Sequence, residues 1–126
     1  MALKVIRGNR IPIFNPTPLL QQRLSESQLI ILCEQGGPVI KHFAFKALSQ
    51  LNFKSAKEIF KDQISDSTEL YYECNCLGGA PVSINLDFLN TLKDKLTDLE
   101  KKSYLQSVKA NCSPSIYEAG IKFFNF

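Results

Sequence analysis

Residues 69–86 read ELYYECNCLGGAPVSINL, and their pattern is the main evidence for β-structure in this chain. Its first part, 69–76, is rich in tyrosine and cysteine, and the aromatic residues favour a β-strand. Gly78 and Gly79 tolerate positive φ angles and therefore permit a tight reversal of the chain. Residues 81–86 then alternate between apolar and polar, which is the period of a half-buried strand. The stretch predicts a β-hairpin with strands near 69–76 and 81–86.

Helical patterns surround the hairpin. In a capping box, a Ser or Thr stands three residues before a Glu or Gln at the start of a helix. Three pairs have this spacing: Ser25–Gln28, Ser55–Glu58 and Thr97–Glu100. Asp87 is predicted to cap the helical segment after the hairpin, which forms either one helix or two that separate near Thr97. Residues 29–33, LIILC, fit a helix or a buried strand, and we prefer the helix because of the preceding box.

The two ends of the chain are expected to add strands to the sheet. Residues 2–7 fit a short first strand. Residues 121–126 alternate weakly between apolar and polar residues and are a candidate for another strand. Ser113 and Pro114 predict the start of a short final helix that closes at Gly120. Residues 1–126 thus predict a single α+β domain, with a small antiparallel or mixed sheet packed with about five to six helices.

Composition narrows the classes of protein. Hydrophobic residues make up 44% of the chain and charged residues 21%, which is ordinary for a globular domain. No apolar run approaches the roughly 18 residues needed for a membrane span. The opening residues, MALKVIRGNR, lack the apolar core of a secretory signal. We therefore expect a cytoplasmic protein with reduced cysteines, with export by a signal-less route as the alternative.

A basic helix pair gives one functional hypothesis. Residues 1–64 hold nine Lys or Arg and four Asp or Glu, a balance of +5. Two short helices, 39–50 and 55–64, have the outline of a helix-turn-helix. Lys54, Lys57 and Lys61 share one face of the second helix and are candidates for phosphate contacts. Nucleic-acid binding by residues 39–64 is the second hypothesis for the function.

Aromatic side chains give the first hypothesis. Tyr71 and Tyr72 are adjacent on a predicted strand, and Phe123, Phe124 and Phe126 crowd the C-terminal residues. Neighbouring residues on a strand face opposite sides, so either both sides of the sheet are covered or an aromatic patch is exposed. Exposed aromatic patches often mark protein contacts. These five residues are the predicted partner-binding residues.

Evidence for catalysis or metal binding is sparse in the sequence. His42 is the only histidine, so any Cys–His or Ser–His pair must use it. Cys74 and Cys76 have C-x-C spacing and, with Cys112 and His42, form a third hypothesis of a small metalloprotein or enzyme. No complete catalytic, metal or cofactor motif is present, so no catalytic or metal residue and no cofactor is assigned.

Weighing these signals, the sequence favours a non-enzymatic protein–protein interaction module or a subunit of a larger assembly, such as an adaptor or inhibitor. Its partner is expected to be another protein or a second copy of the chain. An enzyme is the less favoured alternative.

Overall fold

The computed structural model describes residues 10–12, 14–72 and 81–126. These residues form three strands, seven α-helices and one short 3-10 helix. The strands are β1 (Arg10–Ile11), β2 (Glu69–Tyr72) and β3 (Val82–Ser83). The helices are α1 (Thr17–Arg23), α2 (Glu26–Gln35), α3 (Pro38–Leu51), α4 (Phe53–Asp62), α5 (Ile84–Leu92), α6 (Asp98–Ala110) and α7 (Pro114–Phe124), with the 3-10 helix at Lys93–Lys95. The predicted α+β architecture with a small sheet is confirmed, with one or two more helices than expected.

The sheet is mixed and is centred on β2. Strand β2 pairs with β1 in parallel and with β3 antiparallel, and Leu70 is the Cα partner of Val82. The antiparallel pair is the base of the predicted hairpin. The rest of that hairpin, including Gly78 and Gly79, lies outside the described residues, as does the predicted strand 2–7. Each strand is short, so the sheet depends on the helices packed against it.

The predicted strand at 81–86 is wrong beyond Ser83. Helix α5 begins at Ile84 with Ser83 as its N-cap, so Asp87 lies in the first turn and is not the cap. The alternation of residues 82–86 suggested one buried and one exposed face, yet every residue of that segment is buried. Asn85 is accommodated because its side-chain amide donates to the Ile64 carbonyl at 2.9 Å. An alternating strand fits a site with one buried and one exposed face, and this segment has no exposed face.

The predicted strand at 121–126 is also wrong, because α7 continues to Phe124 and ends at Asn125 in the left-handed conformation (φ 57°). The sequence analysis took Gly120 as the end of this helix. Gly120 instead lies inside it, where a Cβ would come within 2.2 Å of the Leu86 side chain. Here glycine permits the close approach of α7 to α5 and does not end the helix.

Helix starts show where local signals succeed. Ser25–Gln28 and Thr97–Glu100 form both hydrogen bonds of a capping box, so residues 29–33 are helical and the segment after the hairpin is two helices. The Ser55–Glu58 prediction is wrong. Helix α4 begins two residues earlier, because Asn52 Oδ1 accepts from the Ser55 amide at 3.2 Å.

The core is built around α3, which packs against α1, α2, α4 and α5. Its Phe45 ring stacks on Phe88 of α5, with the ring centroids 3.9 Å apart and the planes 4° from parallel. Helix α3 is therefore clamped on several sides, and the side chains on its remaining face are held in defined positions. No helix in the described ranges is long and apolar enough to cross a membrane.

Candidate functional site: a histidine–aspartate pair at an aromatic cleft

A buried polar pair joins α3 to α5. His42 Nδ1 lies 2.6 Å from Asp87 Oδ2, and the two residues are 6% and 1% exposed. The Tyr72 hydroxyl of β2 donates to the other carboxylate oxygen of Asp87. Three separate elements thus converge on one carboxylate. A carboxylate is unfavourable in an apolar core unless it is hydrogen-bonded, and both oxygens of Asp87 are.

Local structure explains why these groups are held in place. Asp87 lies in the first turn of α5, where the exposed amide groups and the helix dipole favour a negative charge. The His42 ring packs edge-on against Phe43 and Tyr72, with centroid distances of 4.7 Å and 5.9 Å. The imidazole therefore has little freedom to rotate.

The hydrogen bond also assigns the two nitrogens of His42. Because carboxylate oxygens accept hydrogen bonds, Nδ1 carries the proton in this contact and Nε2 is the atom left to accept or donate elsewhere. No hydrogen bond to Nε2 comes from any described residue. His42 also lines an open cleft, so the imidazole has one nitrogen fixed in the core and one available to an occupant.

The cleft has a volume of about 840 Å³, within the roughly 300–1,000 Å³ typical of ligand sites. The lining residues come from α3, from the end of α5 with the following 3-10 helix, from the segment before α1 and from the end of α7. The α3 wall presents His42, Phe43, Lys46, Ser49 and Gln50, and the α5 side presents Asn90, Thr91, Asp94 and Lys95.

Three of the five predicted partner-binding residues line this cleft: Tyr72, Phe123 and Phe124. The Tyr72 ring lies 5.1 Å from Phe123 and 6.0 Å from Phe124, edge-on in both cases. Phe126 packs behind Phe124 at 6.2 Å and does not line the cleft. Tyr71 is also absent from the lining and has the Arg10 guanidinium over its ring at 5.9 Å. The fold thus unites aromatic residues about 50 positions apart.

The three predicted phosphate-binding lysines lie on α4 and do not line the cleft. Lys54 and Lys61 are exposed, whereas Lys57 Nζ pairs with Glu100 Oε2 of α6 at 2.8 Å. The hydrogen bond from Lys57 lowers the pKa of Glu100 and raises that of Lys57, which keeps both groups charged. Nucleic-acid binding by α3 and α4 stays a prediction. Of the three lysines proposed to contact phosphates, Lys57 is already paired with Glu100.

The cysteine hypothesis gains no support within residues 10–12, 14–72 and 81–126. Cys74 and Cys76 lie outside the described residues. Cys33 is buried in the core, where desolvation raises the pKa of its thiol to about 12. Burial also raises the pKa of Cys112, so both thiols are poor nucleophiles. No group of three or more metal-binding side chains occurs among these residues.

Sequence analysis missed two features of the site. Asp87 was taken as a helix cap, and nothing local indicates that it meets a histidine 45 residues away. Lys46 was not singled out either, although its position four residues after His42 places both on one face of α3. That spacing was the available signal.

Comparisons with models of protein families, with curated proteins and with solved structures find no match to this chain. The cleft is therefore the feature from which a function can be inferred. Its main elements are aromatic side chains, a buried imidazole with one available nitrogen, and two lysines among the lining residues.

Proposed function

We propose that the protein is a non-enzymatic binding module whose cleft takes a short apolar segment of a partner protein. One observation carries the proposal: Tyr72, Phe123 and Phe124 line an open cleft together with Phe14, whose side chain is 42% exposed. A large apolar side chain exposed beside an aromatic surface gains free energy when a partner removes it from water.

The size and composition of the cleft suit a peptide segment. A volume of about 840 Å³ is near the upper end of the usual range for ligand sites, so several side chains of a partner can enter. Aromatic anchors surrounded by polar groups are the common arrangement at binding hot spots. Here Asn15, Gln50, Asn90 and Thr91 supply polar groups among the lining residues.

A second candidate is an acid–base enzyme, which the His42–Asp87 pair specifically favours. An imidazole oriented by a buried carboxylate, with Nε2 at a cleft, is the arrangement of a general base. A nucleophile is the missing part among the described residues. Ser49 lines the cleft, but its hydroxyl donates to the Lys46 carbonyl at 2.9 Å and forms no hydrogen bond with His42. Binding is therefore the function that the geometry supports better.

Affinity capture from the host extract, quantified by mass spectrometry, tests the binding proposal. Phe14→Ser should reduce recovery of the cleft's partner roughly tenfold or more, since it removes a large apolar contact. Leu99→Ser is the matched control, because Leu99 is 79% exposed on α6 and does not line the cleft. It should leave recovery unchanged. Light scattering on the same samples shows whether the partner is a second copy of the chain.

The proposal fails if no protein depends on Phe14 while both variants stay folded by circular dichroism. It also fails if both variants lose the same proteins, because the loss then reflects general surface hydrophobicity. Turnover of ester or amide substrates that disappears in His42→Gln would favour the enzyme instead.

A further inference from the structure

We infer that the cleft recognises a carboxylate of its occupant through His42 Nε2 and Lys46 Nζ, so that the partner segment is both apolar and acidic. This inference rests on the proposed function and specifies its ligand chemistry. It depends on three observations: the placement of both groups on α3, their lack of other partners among the described residues, and the local charge at the α3 wall of the cleft.

His42 and Lys46 are one helical turn apart on α3. Residues four apart lie on the same face of a helix, and both side chains line the cleft. The sequence of α3, PVIKHFAFKALSQL, contains no acidic residue. The α3 wall therefore presents the Lys46 ammonium and the His42 imidazole, whose Nε2 donates to a carboxylate when the ring carries both protons, with no competing anion on the same helix.

Neither group is occupied within the part of the chain that the structure describes. Lys46 Nζ makes no ion pair there, whereas the neighbouring Lys41 is paired with Asp66. His42 is more than nine-tenths buried, yet its Nε2 has no hydrogen-bond partner among these residues. Nε2 is not among the fully buried atoms that lack a partner in the described residues, so it opens on the cleft, where an occupant can supply a hydrogen bond.

The α3 wall of the cleft favours an anion. The lining lysines and aspartate are Lys46, Lys95 and Asp94, and Asp87 faces His42 from α5 with both oxygens hydrogen-bonded. The two carboxylates balance the two lysines over the whole cleft, so electrostatic complementarity favours an acidic group locally, at Lys46 on α3. The aromatic side of the same cleft favours a carboxylate beside an apolar side chain over a free inorganic anion.

Nitrogen-15 NMR on the untagged chain tests this inference directly, since the chain has one histidine and its ring signals are unambiguous. The probes are two blocked tetrapeptides, acetyl-Leu-Phe-Glu-Leu-amide and the same peptide with Gln, which differ in charge and scarcely in size. Inorganic phosphate is the third probe. The Glu peptide should bind about fivefold or more tightly than the Gln peptide and shift the Nε2 resonance of His42.

Three variants identify the groups responsible. Lys46→Gln and His42→Gln should each remove most of the preference for Glu while changing the affinity for the Gln peptide less than about twofold. Lys41→Gln is the matched control, because Lys41 lies on the same helix but not at the cleft, and the preference should persist. If His42→Gln fails to fold, Lys46→Gln and the wild-type comparison still decide the result.

Equal binding of both peptides with an unmoved Nε2 resonance overturns the inference but leaves a binding cleft in place. Binding of neither peptide also overturns it, and the capture experiment with Phe14→Ser then judges the proposed function separately. Phosphate that binds more tightly than the Glu peptide overturns the choice of a peptide carboxylate.

Discussion

Lys41 and His42 are neighbours on α3, yet they belong to two different polar clusters. Lys41 Nζ contacts Asp66 at 2.7 Å and Gln63 at 2.8 Å, which ties α3 to the turn before β2. His42 contacts Asp87 of α5 at 2.6 Å and lines the cleft. The Lys41 cluster connects α3 to the turn before β2 and uses all of its contacts for that purpose. The His42 cluster connects α3 to α5 through Nδ1, and its Nε2 stays available to an occupant of the cleft.

The surroundings of the two aspartates differ as well. Partial burial alone would raise the pKa of Asp66, but hydrogen bonds from Lys41 and Thr68 outweigh it and hold the pKa below its usual value. Asp66 is thus stabilised as an anion at the edge of the fold, with its side chain 17% exposed. Asp87 is 1% exposed and depends entirely on protein partners. Helix α3 thus carries both a stabilising ion pair, Lys41–Asp66, and a candidate binding group, His42.

Removing the buried carboxylate gives the largest expected effect. Asp87→Ala should lower the free energy of unfolding by about 3–5 kcal/mol, because it leaves His42 and the Tyr72 hydroxyl without their buried acceptor. Urea denaturation followed by circular dichroism measures this loss. Asp94→Ala, an exposed carboxylate on the following 3-10 helix, is the control and should change little. Similar losses in the two variants would contradict the buried pair.

The Lys41 cluster should give a smaller, pH-dependent effect. Asp66→Asn is expected to cost roughly 1–2 kcal/mol near neutral pH, a value discounted for partial exposure. Since the folded pKa of Asp66 is depressed, its contribution is present above the unfolded value near about 4 and is lost as the pH falls through the folded value. The free energy of unfolding, measured at several pH values between neutral pH and about pH 2, should therefore fall less steeply for Asp66→Asn than for the wild type.

Exposed Asp62 at the end of α4 provides the matched control for this experiment. Asp62→Asn should leave both the stability at neutral pH and the acid decline close to those of the wild type. If Asp66→Asn has the same acid profile as the wild type, Asp66 is not the group that loses its partner when protonated.

The smallest effect should come from the exposed Lys57–Glu100 pair, which joins α4 to α6 at 2.8 Å. Water and salt screen such a pair, so Lys57→Gln should give no measurable change in the unfolding midpoint. Thermal unfolding at low and high salt checks this. If Lys57→Gln clearly lowers the unfolding midpoint at low salt but not at high salt, this ion pair stabilises the fold, as the Lys41–Asp66 pair does.

Sequence predictions succeeded where a short segment carries its own signal. The boxes at Ser25 and Thr97 form because the capping groups lie within one helical turn of each other, so local hydrogen bonds are sufficient. The antiparallel pairing of β2 with β3 was likewise indicated by their patterns. In the candidate site, Tyr72, Phe123 and Phe124 were proposed as partner-binding residues, and that role stays a prediction, whereas their meeting at the His42 cleft was not foreseen.

Two of the errors have a common cause, whereas the Ser55–Glu58 error came from a competing local cap at Asn52. Residues 84–86 alternate like a half-buried strand, but all three are buried in α5, where the Asn85 amide donates to the Ile64 carbonyl. Gly120 resembled a helix end but is required by the closeness of Leu86. In both cases a contact with a distant element outweighed the local preference of the segment.

Composition and residues close along the chain were sufficient to predict the α+β class and the two capping boxes, and they show a single histidine. The pairing of His42 with Asp87, the contact of Tyr72 with the same carboxylate and the position of all three beside Phe123 and Phe124 depend on tertiary packing. These contacts join α3, β2, α5 and α7. Packing of the whole core fixes their distances, and no local pattern encodes them.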